Sequence, residues 1–193
     1  MIDDMTKEVE ILAYKYMESQ DDETVFDYLQ DTDGKVRTIA GKTIQLRGSD
    51  ELFYQVISLK NAQKYYLREL CAFILGQFKT VNQDILAQIP PILLALSKDN
   101  SISVKTNAIY ALGHFYGCHS MNLPLSDIDD KIRKMILSYS THPTSSVRVS
   151  CAFALGNLPD DKTVRATLNQ LLNDENAEVS EWAEVSLEIL DNK

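Results

Sequence analysis

The sequence predicts an all-α protein: a short right-handed α-solenoid of about five helical repeats, closed at its N-terminus by a helical cap. Three observations predict it. The stretch LRELCAFILGQF, residues 67–78, returns eighty positions later as VRVSCAFALGNL, with six of twelve positions identical, and a weaker copy, VKTNAIYALGHF, covers 104–115. In register, the copies extend to five units beginning at Val36, Leu67, Val104, Val147 and Val179. Their spacings of 31, 37, 43 and 32 residues fall in the range of helical solenoids. Within each unit apolar residues recur in steps of four, which keeps them on one helical face.

The first 30 residues hold two helical patterns and form the cap, the second starting at Asp21 or Asp22 and covering 23–30. Residues 31–193 carry the five units, and the whole chain, 1–193, reads as one domain. Each unit opens with a ridge residue. Four positions on stands a small residue (Ala40, Cys71, Ala108, Cys151, Ala183), and eight positions on a large one (Ile44, Leu75, Leu112, Leu155, Leu187). A small residue lets helices approach, so this column is where successive repeats stack. Gly76, Gly113 and Gly156 stand nine residues after the ridge and are expected to end these helices, as Gly48 does in the first unit. A second amphipathic helix follows in each case, over 49–60, 84–98, 127–138 and 161–173, several with Ser or Asp at the start as N-cap. Pro90-Pro91 is expected to bend or restart the second of these. The insertion CHSMNLPLSDIDD reads as a surface loop. About eleven helices and no strand result.

Arg37, Arg68 and Arg148 follow the ridge residue, with Lys105 in the same place, and Asp31, Asp99 and Asp174 precede it by five. These groups form either a ladder linking adjacent repeats or a row of phosphate ligands. The ladder is the better reading, because its period is that of the fold.

Composition, 45% apolar and 24% charged, is that of a water-soluble protein, and no apolar run approaches the ~20 residues that span a bilayer. The acidic amphipathic N-terminus is unlike a signal peptide, so the expected location is cytoplasmic, with no membrane partner. Three cysteines, an odd number, argue against a disulfide framework. Cys71 and Cys151 read as small buried hydrophobes. HFYGCH brings His114, Cys118 and His119 together, but zinc wants four ligands and His142 is the only other histidine, so a loop with incidental polar residues is expected and no metal.

No phosphate loop, G-x-S-x-G or H-E-x-x-H motif is present. The pairs Asp3/Asp4, Asp21/Asp22, Asp129/Asp130 and Asp160/Asp161 lie where N-capping explains them. No catalytic residue, no cofactor and no enzymatic activity are expected. The net charge of −9 is uneven: residues 1–33 carry −9, residues 34–173 carry +6 and residues 174–193 carry −6. Acidic ends steer a basic partner or keep the ends of the stack soluble. An aromatic column, Phe73, Tyr110 and Phe153, stands six residues after the ridge, and Trp182 belongs to the last such helix. These rings either pack on the paired helix or are displayed. Displayed, with Glu69 and Glu181 beside them, they are the candidate partner-binding residues.

The pattern D-x-x-x-x-V-R-x-x-A-x-x-A-L-G, matched in part by residues 174–179, 147–156 and 104–113, resembles HEAT-like repeats of the bilin-lyase type. Through IQLRG (44–48), LRELCAFILGQFK (67–79) and EWAEVSL (181–187) the chain also resembles bacterial HEAT-repeat proteins encoded beside Rhs-type polymorphic toxins, although it is shorter. That resemblance implies an immunity protein that binds a sibling toxin domain one-to-one and blocks it. A basic nuclease fits the acidic ends, since a nuclease must hold a phosphate backbone. Direct nucleic-acid binding is not expected. A general scaffold, a bilin lyase and a HEAT-like DNA glycosylase are the other readings; the lyase needs a tetrapyrrole pocket and the glycosylase a continuous basic groove.

Overall fold

The computed structural model describes residues 2–119 and 127–192, with the backbone alone for 2–8, 10 and 119. Eleven α-helices and no strand are found among the described residues. The cap is α1 (Ile2–Ser19) and α2 (Asp22–Asp27), the latter running into a 3-10 turn, Tyr28–Gln30. Then come α3 (Gly34–Arg47), α4 (Asp50–Ser58), α5 (Tyr65–Gly76), α6 (Gln83–Leu96) and α7 (Ile102–His119). The last four are α8 (Asp127–Tyr139), α9 (Ser145–Asn157), α10 (Lys162–Leu171) and α11 (Ala177–Asp191). Of the expected insertion loop, 118–130, the ends belong to α7 and α8, and residues 120–126 lie outside the described residues. The fold is the α-solenoid that the register predicts.

Helices α5, α7, α9 and α11 stack along their lengths in one layer, α3 joins it through α5, and α4, α6, α8 and α10 form a second, sparser layer. The small-residue column is the reason. Ala40, Cys71, Ala108, Cys151 and Ala183 are all fully buried, so no side chain beyond a methyl or a thiol separates neighbouring backbones. The core between the layers is filled by Ile44, Leu75, Leu112 and Leu155 from the first and Leu52, Ile89, Ile132 and Leu168 from the second.

Caps follow local chemistry. Asp21 accepts from the Thr24 amide at 2.8 Å and starts α2, Ser49 starts α4, and Asp161 accepts from the amides of Thr163 and Val164. At α6 the cap is Asn82, two residues before the expected Asp84, whose amide Asn82 accepts at 3.0 Å. Asp22 pairs with Arg47, whose Nη2 also donates to the carbonyls of Met17 and Gln20. One guanidinium therefore satisfies the open end of α1 and ties the cap to the first repeat.

Three expectations are corrected. Pro90 and Pro91 do not interrupt α6, which runs through them. The two lost amide donors are outweighed by the burial of Ile85, Ile89, Pro90 and Leu93, which holds the segment against α7 and α5. Helix α5 does end at Gly76 and α9 one residue past Gly156, but α7 runs on past Gly113, and none of the three takes a left-handed backbone; among the described residues only Gly48, at φ 59°, takes positive φ. Their role is close approach. A Cβ on Gly76 would lie 2.7 Å from Ala111 Cα, one on Gly113 2.7 Å from the Phe153 ring, and one on Gly156 2.6 Å from Ser186 Oγ. As a result α7 continues through Gly113 to His119, and the His114–Cys118 segment is helix, not loop.

The arginine and aspartate columns form the ladder. Arg68 grips Asp99 of the following unit through Nε–Oδ2 at 2.7 Å and Nη2–Oδ1 at 3.0 Å, while its Nη1 donates to the carbonyls of Ala62 and Gln63. Arg148 and Asp174 repeat this two units later. Where the next unit lacks the aspartate, the cation turns to an aromatic ring: Arg37 lies 4.6 Å over Tyr66, and Lys105 4.6 Å over Tyr139.

Candidate functional site

The open face of the stacked layer is built from positions that the core does not use. On each stacked helix the residue before the ridge and the residue six after it lie about 20° apart on the helical wheel, on the side away from the paired helix. From the first unit to the fifth the former reads Lys35, Tyr66, Ser103, Ser146, Glu178, and the latter Lys42, Phe73, Tyr110, Phe153, Val185.

The structure brings most of the aromatic column together. Phe153 lies at the centre, its ring 5.2 Å from Tyr110, 4.8 Å from His114 and 5.3 Å from Trp182, edge-on to the indole. It rests in the space that Gly113 leaves open. Phe73 uses the same device one repeat pair earlier, with its ring 3.2 Å from where a Gly41 Cβ would stand. All four rings are half-buried: they pack against the core at one edge and face outward at the other, so packing and display are both realised. Gln45 donates to the Phe73 carbonyl at 2.7 Å and fixes α3 against α5 beneath the row.

The two acids separate. Glu69 stands beside Phe73 and accepts from Asn107 Nδ2 at 2.9 Å. With Arg37, Thr38, Tyr66, Phe73 and Asn107 it lines a groove of about 270 Å³ across α3, α5 and α7. Glu181 does not join the row. It occupies Glu69's place in the repeat, which faces the following helix, and no helix is described beyond α11, so Glu181 is exposed at the end of the stack. The acid whose charge is felt in the row is Glu178, four residues before Trp182 on the same helix. Its charge, after burial, raises the pKa of the Tyr110 hydroxyl. Sequence reading missed Glu178 because no other unit carries an acid there; its position beside the ridge was the available signal.

The groups that do chemistry elsewhere are quiet here. Burial lowers the His114 pKa, which keeps the imidazole neutral near pH 7, and its Nδ1 lies 3.4 Å from Gln77 Nε2. Burial pushes the Cys71 thiol up to about 12 and the Cys151 thiol higher still, so neither supplies a thiolate. Among the described residues no three His, Cys, Asp or Glu side chains converge as metal ligands, and no helix is long and apolar enough to cross a membrane. What the face offers is rigid aromatic surface between polar edges, suited to gripping side chains of another chain.

The architecture is that of a helical-repeat α-solenoid, and residues 65–115, α5 through most of α7, match the HEAT-like repeat. Among characterised chains, it is 27% identical over 182 residues to protein YibA of Escherichia coli K12, covering 91% of this chain and 60% of that one, and equally so to YibA of the O157:H7 strain. The chain thus spans about 60% of the length of the curated relatives it matches. The crystal structure of Escherichia coli YibA superposes with a TM-score of 0.59 at 22% identity, over 92% of this chain and 74% of that one. The complex of CpcE and CpcF of phycocyanin lyase from Nostoc sp. superposes at 0.70 and 18% identity, over 86% and 97%. A designed armadillo repeat protein in complex with a (KR)4 peptide does so at 0.54 and 14%, over 86% and 80%. These structural likenesses concern the fold.

Proposed function

We propose that this protein is a non-catalytic binding module that acts as a cytoplasmic immunity protein: it binds a cognate toxin domain one-to-one through the open face of its stacked helices and so blocks it. The observation that carries the reading is Phe153 wedged between Tyr110 and Trp182 on that face, with the Glu178 charge felt at the Tyr110 hydroxyl and Glu69 at the next ring. Aromatic anchors held rigid by packing lose little entropy on binding, and adjacent carboxylates favour a basic surface. A basic nuclease domain has that character. The resemblance of residues 44–48, 67–79 and 181–187 to toxin-linked HEAT-repeat proteins supplies the class of partner.

The test is binding of the purified protein to the toxin domain encoded beside it, by calorimetry, together with survival of cells expressing that domain. Phe153→Ala should cost about 2 kcal/mol or more of binding free energy, roughly a thirtyfold loss of affinity. Glu181→Ala, at the end of the stack, should cost far less. A neighbouring toxin domain that neither binds nor is neutralised would overturn the reading.

A further inference from the structure

The two rows that border the open face change character from one end to the other. Lys35 and Lys42 stand at the α3 end; both are exposed and make no ion pair among the described residues. Arg37 adds a guanidinium on the same helix, bonded to the carbonyls of Asp31 and Thr32 and to no carboxylate. The middle units present Tyr66, Phe73, Tyr110 and Phe153 with small polar residues, and Glu69 is the acid among them. The α11 end presents Glu178 and, at its rim, Glu181, both exposed. Arg37 and Glu69 share one groove, whereas Lys35 and Lys42 stand apart from Glu178 and Glu181, with the aromatic row between them.

We infer that the partner segment lying along this face is extended and charge-polarised, with acidic side chains at the α3 end, apolar side chains over the ring row, and basic side chains at the α11 end. This rests on the protein-binding reading above and specifies the chemistry of what is bound. Five stacked helices at about 9 Å spacing make a face about 36 Å long, the span of about eleven extended residues. An extended chain directs alternate side chains to one side, so about five would meet the face, enough for one or two at each charged end and the remainder on the rings. Charges more than a Debye length of about 8 Å apart act independently at physiological salt, so the two ends read the segment separately.

The experiment uses the full chain and four synthetic eleven-residue peptides sharing an alternating Leu/Ser centre. One carries three Glu at one end and three Lys at the other; the others carry Glu at both ends, Lys at both ends, or Ser at both. Affinity is measured by the fluorescence of Trp182, the single tryptophan. The mixed peptide should bind about tenfold tighter than any other, and more weakly as salt rises. The surface double variant Lys35→Glu/Lys42→Glu should lose that preference and favour the all-Lys peptide. Glu178→Lys/Glu181→Lys should favour the all-Glu peptide. Equal binding of all peptides, no binding of any, or a native preference for the all-Lys peptide would overturn the inference. Toxin binding by the same variants is scored in parallel: toxin binding that depends on Phe153 while the peptides fail overturns only the polarity and extension of the segment.

Discussion

Arg148 and Asp174 meet across the junction of the fourth and fifth repeats in a two-pronged pair, Nε to Oδ2 at 2.7 Å and Nη2 to Oδ1 at 2.8 Å, with each side chain 10% exposed. The remaining guanidinium nitrogen donates to the carbonyls of His142 and Pro143, so one side chain closes a turn and joins two units.

Asp174→Asn keeps the shape and removes the charge, leaving the guanidinium half-satisfied. It should lower stability by about 2 kcal/mol at pH 7, measured by urea unfolding. The pair also sets a pH dependence. The hydrogen bonds from Arg148 hold the Asp174 carboxyl below the usual carboxylate range, as Arg68 does for Asp99. A depressed folded pKa contributes stability above the unfolded value of about 4 and loses it as pH falls through the folded value. The gap between native protein and Asp174→Asn should therefore be full at pH 6 and narrow steadily below pH ~4. A gap that stays constant down to pH 2 would show that the carboxylate is not the source of the difference.

Gly76→Ala should destabilise although alanine is the better helix former by about 1 kcal/mol. Its Cβ would enter the backbone and side chain of Ala111, which cannot give way without separating α5 from α7, and the net loss should be about 1–3 kcal/mol. Gly117→Ala is the contrast. There the nearest atom, at 2.7 Å, is Oδ1 of Asn157, a side chain able to turn aside, so stability should hold or rise slightly. Ala108→Leu and Cys151→Leu should behave like Gly76→Ala. Thermal melts of the four variants decide it, and a neutral Gly76→Ala would show that the stacked layer is not packed as described.

A thiol reagent should find one fast site in the folded protein. Cys118 is exposed near the end of α7, whereas Cys71 and Cys151 are buried with thiol pKa values pushed up, the former to about 12. One equivalent should react within minutes at pH 8 and the other two only after denaturation; rapid loss of all three would contradict the burial of the small-residue column.

Arg47→Ala removes the pair with Asp22 and the bonds to the carbonyls at the end of α1. The expected outcome is faster proteolytic cutting near residues 19–21, with little change in the peptide bonds of α5 to α11.

The ridges, the small column, the ladder and the aromatic row were legible in the sequence because each recurs with the period of the backbone, and a repeated helix leaves little choice of face. The glycines misled for a physical reason. The same residue ends a helix by taking positive φ, as Gly48 does, or lets a neighbouring side chain in, as Gly113 does, and the difference is decided by a residue more than thirty positions away. Pro90-Pro91 misled likewise, since the burial that holds α6 through them is set by neighbouring helices. At the candidate site the rings were found by their period. Glu178 was not, because an acid that occurs once in a column leaves no repeat to notice, and Glu181 was overvalued because its column faces a following helix in the other units, whereas no helix is described beyond α11.

The glycine and alanine contacts have a geometric consequence for the molecule as a whole. Helices in the stacked layer meet backbone to backbone at the glycines, while those of the other layer touch sparsely. Two joined layers with unequal spacing must bend toward the tighter one, as a bimetal strip does. The radius of that arc is set by atoms no larger than a methyl, and it fixes how far apart Tyr110, Phe153 and Trp182 stand. Any enlargement along the column would straighten the arc and spread the rings, so shape and recognition are written in the same few residues.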